Sequence, residues 1–388
     1  MEAIRTPLLF DGDRLARDRM VIVEGRRVVH VGPAGDAPPG AVLTDLPAGA
    51  ILAPGFIDVQ VNGGGGVLLN DDPGPAGAAA IVAAHRRHGT TGCLPTLITD
   101  RPEVLSACLA AAGAIAAVPG VLGLHAEGPF INPVRKGVHR ADFIRVPDPS
   151  DIEALRTLAR AGRSMITLAP ERMPDGFVRD LAAAGLRVSI GHSEASAEEV
   201  EAAVRDGATA VTHLFNAQSQ MQGRAPGVVG AAMATDRLFV SLIADGLHVH
   251  PMNLRAAFRA IGPERLMLIT DAMSSVGAAT DRFDLMGREV RLEQGRLTTA
   301  DGTLAGAHLG MDEAVRNAVA MMDASLPQAL AMASRTPAHF LGLADTHGRI
   351  AAGAAADLVA LDADLKPLGT WIGGDHASAR DGVGRPFS

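Results

Sequence analysis

The feature that most constrains the fold is a repeated alternation of short apolar runs with alanine-rich stretches through the middle of the chain. Eight of these runs are predicted to be strands, at residues 56–61, 92–97, 120–124, 165–169, 187–190, 210–212, 239–243 and 266–270. Stretches with good helix propensity follow most of them, for example at residues 76–88, 103–117, 197–206 and 253–261. Eight consecutive strand–helix units favour a closed (β/α)8 TIM barrel over an open doubly wound sheet. We therefore predict an α/β fold.

The two ends of the chain have a different pattern from this middle region. Residues 1–52 and 347–388 alternate apolar and polar residues around glycine-containing turns, as short strands do. Short strands need partners to be stable, so we expect both ends to build one small β-sandwich domain beside a barrel of residues 53–346. Another alternating segment, at residues 284–299, is expected to form a hairpin inserted after the eighth strand.

Composition excludes several classes of function. The formal net charge is −8, aromatic residues make up 3% of the 388 residues, and no basic block occurs, so a nucleic-acid partner is not expected. No apolar run reaches membrane length and the N-terminus lacks the pattern of a secretory signal, so we expect a cytoplasmic protein with no membrane partner. Cys93 and Cys108 are expected to be free thiols.

Polar residues lie at or just after the ends of four predicted strands. They are Glu127 in HAEGPF, His192 in GHSEAS, His213 in THLFNA and Asp271 in LITDA. In a parallel barrel all strand C-termini open on one face, so these side chains are expected to converge. Two imidazoles, one carboxylate and a water complete the coordination of a catalytic divalent metal, which predicts Glu127, His192 and His213 as ligands. A strand-end histidine taken alone is more often a core residue, and Asp271 taken alone could cap a helix.

The end of the first strand bears on the number of metal ions. Hydrolytic barrels with a second metal half-site carry His-x-His there, whereas this chain has Gln60 and Asn62. Amide oxygens are poor zinc ligands, so we expect one tightly held ion and leave a weak second ion open. Zinc is the first candidate, and iron or another divalent ion accepts the same ligands.

Taken in order, the motifs closely resemble those of the N-acetylglucosamine-6-phosphate deacetylases of the amidohydrolase superfamily. The resemblance covers essentially the whole chain, and its combination of GLHAEGPF, THLFNA and ADGLHV is far more specific than any single motif. The matching pieces are APGFIDVQVNG (53–63), PTLIT (95–99), GLHAEGPF (123–130), KGVH (136–139), TLAPE (167–171), GHSEAS (191–196), THLFNA (212–217), GRAPG (223–227), IADGLHV (243–249), LITDAM (268–273) and DGTLAG (301–306). One departure is Gln218-Ser219-Gln220, where the family usually continues with Met.

This resemblance implies hydrolysis of N-acetylglucosamine 6-phosphate to glucosamine 6-phosphate and acetate, by a homodimer. It implies that the three predicted ligands bind the metal, that Asp271 is the catalytic acid and base, and that His139 polarises the acetamide carbonyl. The residues that it assigns to the phosphorylated amino sugar are His248, Arg224, Asn216, Ala217 and, by its place in the single-metal form of the family, Gln60. Arg224 would act across the dimer interface.

Three alternatives remain open at this point. The same chemistry could act on N-acetylgalactosamine 6-phosphate. A dihydroorotase-like cyclic amidase would need His-x-His and a bridging lysine. Here Gln60 and Asn62 occupy the two histidine positions, and the TLAPE segment contains no lysine. A barrel that has lost catalysis and serves as a scaffold would have little reason to retain the predicted ligands together with Asp271.

Overall fold

The computed structural model describes residues 1–35 and 37–378, which form a β domain and a barrel. The strands, in chain order, are β1 (Glu2–Phe10), β2 (Leu15–Glu24), β3 (Arg27–Pro33), β4 (Val42–Asp45), β5 (Ile51–Pro54), β6 (Phe56–Val61), β7 (Gly63–Gly64), β8 (Val67–Leu68), β9 (Thr90–Ile98), β10 (His125–Glu127), β11 (Met165–Leu168), β12 (Arg187–Ile190), β13 (Ala208–Val211), β14 (Phe239–Ile243), β15 (Leu266–Ile269), β16 (Arg282–Leu285), β17 (Arg288–Glu293), β18 (Arg296–Thr299), β19 (Leu304–Ala307), β20 (Leu358–Leu361), β21 (Pro367–Ile372) and β22 (Asp375–Ser378). The helices are α1 (Pro75–Arg86), α2 (Pro102–Ala116), α3 (Pro149–Arg160), α4 (Phe177–Ala183), α5 (Ala197–Arg205), α6 (Gly227–Ala234), α7 (Pro251–Ile261), α8 (Met311–Met322), α9 (Leu326–Ala333) and α10 (Arg335–Phe340).

The β domain is built from both ends of the chain, as predicted. Its sheet has the order β22-β21-β20-β5-β1-β2-β3, and β4 pairs with β1. Leu52 of the N-terminal segment and Trp371 of the C-terminal segment are buried in the same apolar cluster. The predicted N-terminal boundary at residue 52 lies inside β5, and residues 379–388 of the predicted C-terminal segment lie outside the described residues.

The barrel confirms the (β/α)8 prediction. Eight parallel strands follow one another in the order β6-β9-β10-β11-β12-β13-β14-β15. The two end strands meet just beyond β15, where the Asp271 amide donates to the Gln60 carbonyl over 3.0 Å and the Asn62 amide donates to the Ala272 carbonyl over 2.9 Å. Strands such as β6 and β9 are buried along their whole length, as expected where helices cover a parallel sheet.

The third barrel strand corrects the prediction of a strand at residues 120–124. Regular pairing begins only at His125, opposite Thr96 of β9 and Met165 of β11. Before it the chain turns through Gly120, at φ +90°, and makes single bonds such as the Leu122 amide to the Cys93 carbonyl over 3.0 Å. Glu127 is therefore the last residue of its strand rather than a residue that follows one.

The insertion after the eighth strand is larger than the predicted hairpin of residues 284–299. Strands β16, β17, β18 and β19 form a four-stranded antiparallel sheet, which we call the inserted sheet. Its buried side chains Leu285, Val290 and Leu297 join one apolar cluster with Val138 and Met273 of the barrel loops. The inserted sheet is thereby fixed against the end of the barrel where the polar residues gather.

Two smaller features complete the fold. Cys93 and Cys108 are buried free thiols, as expected. Burial raises the pKa of the Cys108 thiol to about 11, so this thiol stays protonated and unreactive. Among the helices that the structure describes, none is long and apolar enough to cross a membrane.

Candidate active site

The predicted strand-end residues meet at one mouth of the barrel. Glu127 ends β10, and His192, His213 and Asp271 each lie two residues beyond the end of their strand. All four are buried, with Asp271 the most accessible at 8%. Parallel strands deliver their C-terminal residues to one face, which explains why residues so distant in sequence become neighbours.

The backbone at three of these residues is strained. His192, His213 and Asp271 adopt φ values of 48°, 35° and 51°, in the left-handed region that residues with a Cβ rarely enter. Ala217, another predicted site residue, has φ 50°. Such conformations persist only where the surroundings enforce them, and they concentrate at functional sites. The strain therefore supports a functional role for this mouth.

The donor atoms of the three predicted metal ligands converge. Glu127 Oε1 lies 3.2 Å from His192 Nε2 and 2.9 Å from His213 Nε2, and the two imidazole nitrogens are 3.1 Å apart. Tetrahedral zinc with bonds of about 2.0–2.1 Å has ligand atoms roughly 3.3 Å apart. The three atoms therefore form a triangle of nearly the size that one divalent cation requires.

The charge of Glu127 and the orientation of the His192 ring suit the same purpose. Burial disfavours the Glu127 carboxylate, but hydrogen bonds with His192 and His213 outweigh it and hold the pKa of Glu127 well below its usual value. His192 Nδ1 lies 2.7 Å from the Arg135 carbonyl oxygen and donates to it, so Nε2 is the nitrogen that faces the other two ligand atoms. An anionic oxygen beside two imidazole nitrogens is a donor set that a divalent cation accepts.

His139 lies against this group on the loop after β10. Its Nε2 is 4.0 Å from Glu127 Oε2, and its ring centroid is 4.5 Å from that of His192. Ligand atoms of Glu127, His139 and His192 all lie within 4.8 Å of one another, so His139 is a geometrical alternative to His213 as a ligand. Burial, with the nearby His192 charge, lowers the pKa of His139 to about 3, so its imidazole is neutral.

Asp271 is held by two amide side chains that the strand-end pattern alone did not connect to it. Asn62 Nδ2 donates to Asp271 Oδ1 over 2.7 Å, and Gln60 Nε2 donates to the same oxygen and to Glu127 Oε1, each over 3.0 Å. Burial, with the negative charge of Glu127, raises the pKa of Asp271 to about 6. A carboxylate with such a pKa can accept and return a proton near neutral pH.

A cavity of about 410 Å³ opens onto these groups. Of the predicted substrate-binding residues, His248, Asn216 and Ala217 line it. Gln60 lies beneath it between the two carboxylates, and Arg224 lies on an exposed loop away from its lining. The cavity size suits a small ligand of monosaccharide class.

Sequence reasoning missed two further features of the site, namely a carboxylate that holds His248 and a segment that lines the cavity. Asp245 Oδ2 lies 2.6 Å from His248 Nδ1, and Asp245 Oδ1 accepts the backbone amides of Leu247 and His248 over 2.8 Å each. The spacing of three residues in ADGLHV could have suggested this pair. Residues 302–304, at the turn from β18 into β19 of the inserted sheet, line the cavity, and their motif DGTLAG carried no assigned role.

Comparisons with known proteins agree with this geometry. The model of the amidohydrolase family matches residues 51–383. The chain is 42% identical to an N-acetylgalactosamine-6-phosphate deacetylase of Shewanella sp. (strain ANA-3), over 85% of this chain and 84% of that protein. It is 40% identical to an N-acetylglucosamine-6-phosphate deacetylase of Homo sapiens, over 84% of this chain and 83% of that protein.

A solved structure gives the same result for the fold. The structure of a mutant N-acetyl-D-glucosamine-6-phosphate deacetylase from Mycobacterium smegmatis, in complex with N-acetyl-D-glucosamine-6-phosphate, has a TM-score of 0.89 and 35% identity. It covers 97% of this chain and 98% of that chain. The family resemblance of the motifs is therefore confirmed, and the hydrolytic nature of the site follows with it. The chain belongs to the amidohydrolase family.

Proposed function

We propose that the chain hydrolyses the N-acetyl group of N-acetylglucosamine 6-phosphate, giving glucosamine 6-phosphate and acetate. The observation that carries the proposal is the triangle of Glu127, His192 and His213 beside Asp271 in a cavity of about 410 Å³. The human relative and the mycobacterial enzyme, which was solved with this sugar phosphate, support the choice of substrate.

One divalent cation, with zinc as the first candidate, would be held by Glu127, His192 and His213. We prefer His213 to His139 as the third ligand because its Nε2 is 2.9 Å from Glu127, whereas the closest His139 nitrogen is 4.0 Å away. Such a cation, when bound, lowers the pKa of a water from ~15.7 to about 7 and polarises the scissile carbonyl.

The chain's own residues would move the protons. Asp271 takes the proton of the attacking water and then gives it to the amine nitrogen as the carbon–nitrogen bond breaks and acetate forms. The side-chain amides of Asn62 and Gln60 both donate to Asp271 Oδ1 and so fix the orientation of the carboxylate during both proton transfers. The neutral His139 imidazole carries one N–H, which can donate to the oxygen on which negative charge develops.

The sugar phosphate would contact the other cavity residues. His248, Asn216 and Ala217 line the cavity and are proposed to bind the sugar. Arg224 is exposed, and we propose that it reaches a phosphate only across the interface of a homodimer. Gln60 would hold the two carboxylates rather than the substrate. A cytoplasmic location remains part of the proposal.

N-acetylgalactosamine 6-phosphate is a second candidate substrate because the Shewanella relative, at 42% identity, acts on the galacto isomer by its name. Residues 218–220, where the sequence departs from the family pattern, directly follow the proposed sugar-binding residues. Gln218 is fully buried, and its Nε2 donates to the Thr212 carbonyl. Gln220 Nε2 donates to the Phe215 carbonyl over 3.0 Å. These residues shape the loop that carries Asn216 and Ala217.

Acetate release from both isomers, with and without the 6-phosphate, tests the proposal. We expect a higher kcat/KM for the phosphorylated gluco sugar than for its unphosphorylated form and for the galacto isomer. A large preference for the galacto isomer would make N-acetylgalactosamine 6-phosphate the substrate in place of the gluco sugar. No acetate from any of these sugars, with metal bound, would overturn the function itself.

A further inference from the structure

Within the described part of the chain, no hydrogen bond holds the His139 side chain. Its Nδ1 is buried without a partner among residues 1–35 and 37–378, and its Nε2 lies 4.0 Å from the nearest carboxylate oxygen. The His139 backbone amide donates to the Lys136 carbonyl over 3.0 Å. The position of this ring therefore depends on the backbone that carries it and on packing.

A side chain from outside this loop is hydrogen-bonded to the backbone next to His139. Arg288, on β17 of the inserted sheet, donates from Nη2 to the carbonyl of Val138, the residue before His139. A guanidinium donor makes this a charge-assisted hydrogen bond, which is stronger than a neutral one. Val138 also packs in one apolar cluster with Leu285 and Val290 of the same sheet. The residue before His139 is thus held by both a polar and an apolar contact.

We propose that Arg288 is a positioning residue. It fixes the Val138 carbonyl and so holds the His139 imidazole within hydrogen-bonding reach of the substrate's acyl oxygen. This inference rests on the proposed function, because it gives His139 a role in the transition state. It also explains why a sheet inserted after the eighth strand contacts the loop after the third. A group that stabilises developing charge must be held rigidly by its surroundings to be effective.

The test compares variants of two arginines on the same strand. Arg288→Met removes the donor and keeps the apolar stem, whereas Arg288→Lys retains a donor. Arg291→Met is the matched control, because Arg291 is exposed on the opposite face of β17 and bonds to Glu289. We expect Arg288→Met to lower kcat roughly 10- to 100-fold with little change in KM, as losses of supporting contacts do. Arg288→Lys should recover most of kcat, and Arg291→Met should match the wild type.

A double-mutant cycle with His139→Asn separates positioning from simple structural support. If Arg288 acts through His139, then Arg288→Met in the His139→Asn background should lower kcat by less than about 2-fold. If the fold-losses in kcat of Arg288→Met and His139→Asn multiply in the double variant, the two residues act independently and the proposal is overturned. Wild-type kcat in Arg288→Met would overturn it as well. Loss of bound metal or a lower Tm in both Arg288 variants would also overturn it. If instead the wild type releases no acetate from N-acetylglucosamine 6-phosphate, it is the proposed function that fails.

Discussion

At the scale of single residues, Asp271 shows how surroundings set chemistry. Burial and the charge of Glu127 favour its neutral form, while the charge of His213 and the amide of Asn62 favour its anion, and the balance places the pKa of Asp271 at about 6. The left-handed backbone at this residue, with φ 51°, fixes where the carboxylate projects. One side chain can therefore serve both proton transfers.

Replacing Asp271 by Asn keeps the shape of the side chain and removes the proton acceptor. We expect kcat for acetate release to fall by ~10²–10⁴-fold, the usual contribution of a general acid–base group, with metal content unchanged. Measuring both on the same preparation separates the two effects. Wild-type turnover by the metal-loaded variant would show that another group moves the proton.

The pH profile follows from the same pKa. The ordinary value of 3.8 is raised to about 6, so Asp271 is protonated below pH 6 and cannot accept the proton of water. We expect kcat/KM to rise with pH up to about 6 and then to level off, as steady-state kinetics between pH 4.5 and 8 can show. A flat profile down to pH 4.5 would contradict the assignment of Asp271 as the base.

Prediction of single residues from the sequence was possible where one rule applies to every strand. It was not possible for individual contacts between distant side chains. The strand-end rule predicted that Glu127, His192 and His213 converge, and they do, because a barrel sends all strand ends to one face. The bond from Asn62 to Asp271 joins positions 209 residues apart, and nothing local to either position signals it.

At the scale of elements, the junction between the first and eighth barrel strands contains a buried carboxylate. Asp58 of β6 is fully buried, and its Oδ2 accepts the Thr270 hydroxyl over 2.5 Å. Burial raises the pKa of Asp58 to about 7 even though the Thr270 and Gln60 hydrogen bonds oppose the shift. Since Thr270 immediately precedes Asp271, this contact links closure of the barrel to the site.

Asp58 should therefore make stability depend on pH. Its pKa is higher in the folded protein, so the folded state binds the proton more tightly than the unfolded chain. The resulting stability is complete below about pH 4 and is lost as pH rises through 7, by roughly 4 kcal/mol in total. Urea unfolding of the wild type and Asp58→Asn at pH 5 and pH 8 tests this. The variant should lose less stability than the wild type between these values, and parallel losses would contradict the linkage.

The clearest strand signal in the sequence is a continuous apolar run. Strand β15, Leu-Met-Leu-Ile, was predicted to within one residue at its end, because a buried parallel strand favours apolar residues on both faces. Strand β10 consists of His125, Ala126 and Glu127, so its apolar signal is weak. Strand β19 is short and contains Gly306 at φ 61°, and it pairs with β18 only after a register shift, which no local pattern shows.

At the scale of the whole molecule, the three proposed ligands come from β10 and from the loops after β12 and β13. A cation held by all three would tie these strands together, and binding to the folded state alone adds stability. Removing metal with a chelator should lower the Tm of the wild type and leave that of His213→Ala nearly unchanged. Equal Tm shifts in both proteins would mean that the metal is bound elsewhere.

The central claim is that Glu127, His192 and His213 hold the cation and that His139 does not. Metal content per chain in the wild type, His213→Ala and His139→Ala, each paired with its rate of acetate release, tests this most directly. We expect about one equivalent in the wild type and in His139→Ala, with slow turnover in the latter, and neither metal nor turnover in His213→Ala. Full metal content in His213→Ala together with its loss in His139→Ala would contradict the claim.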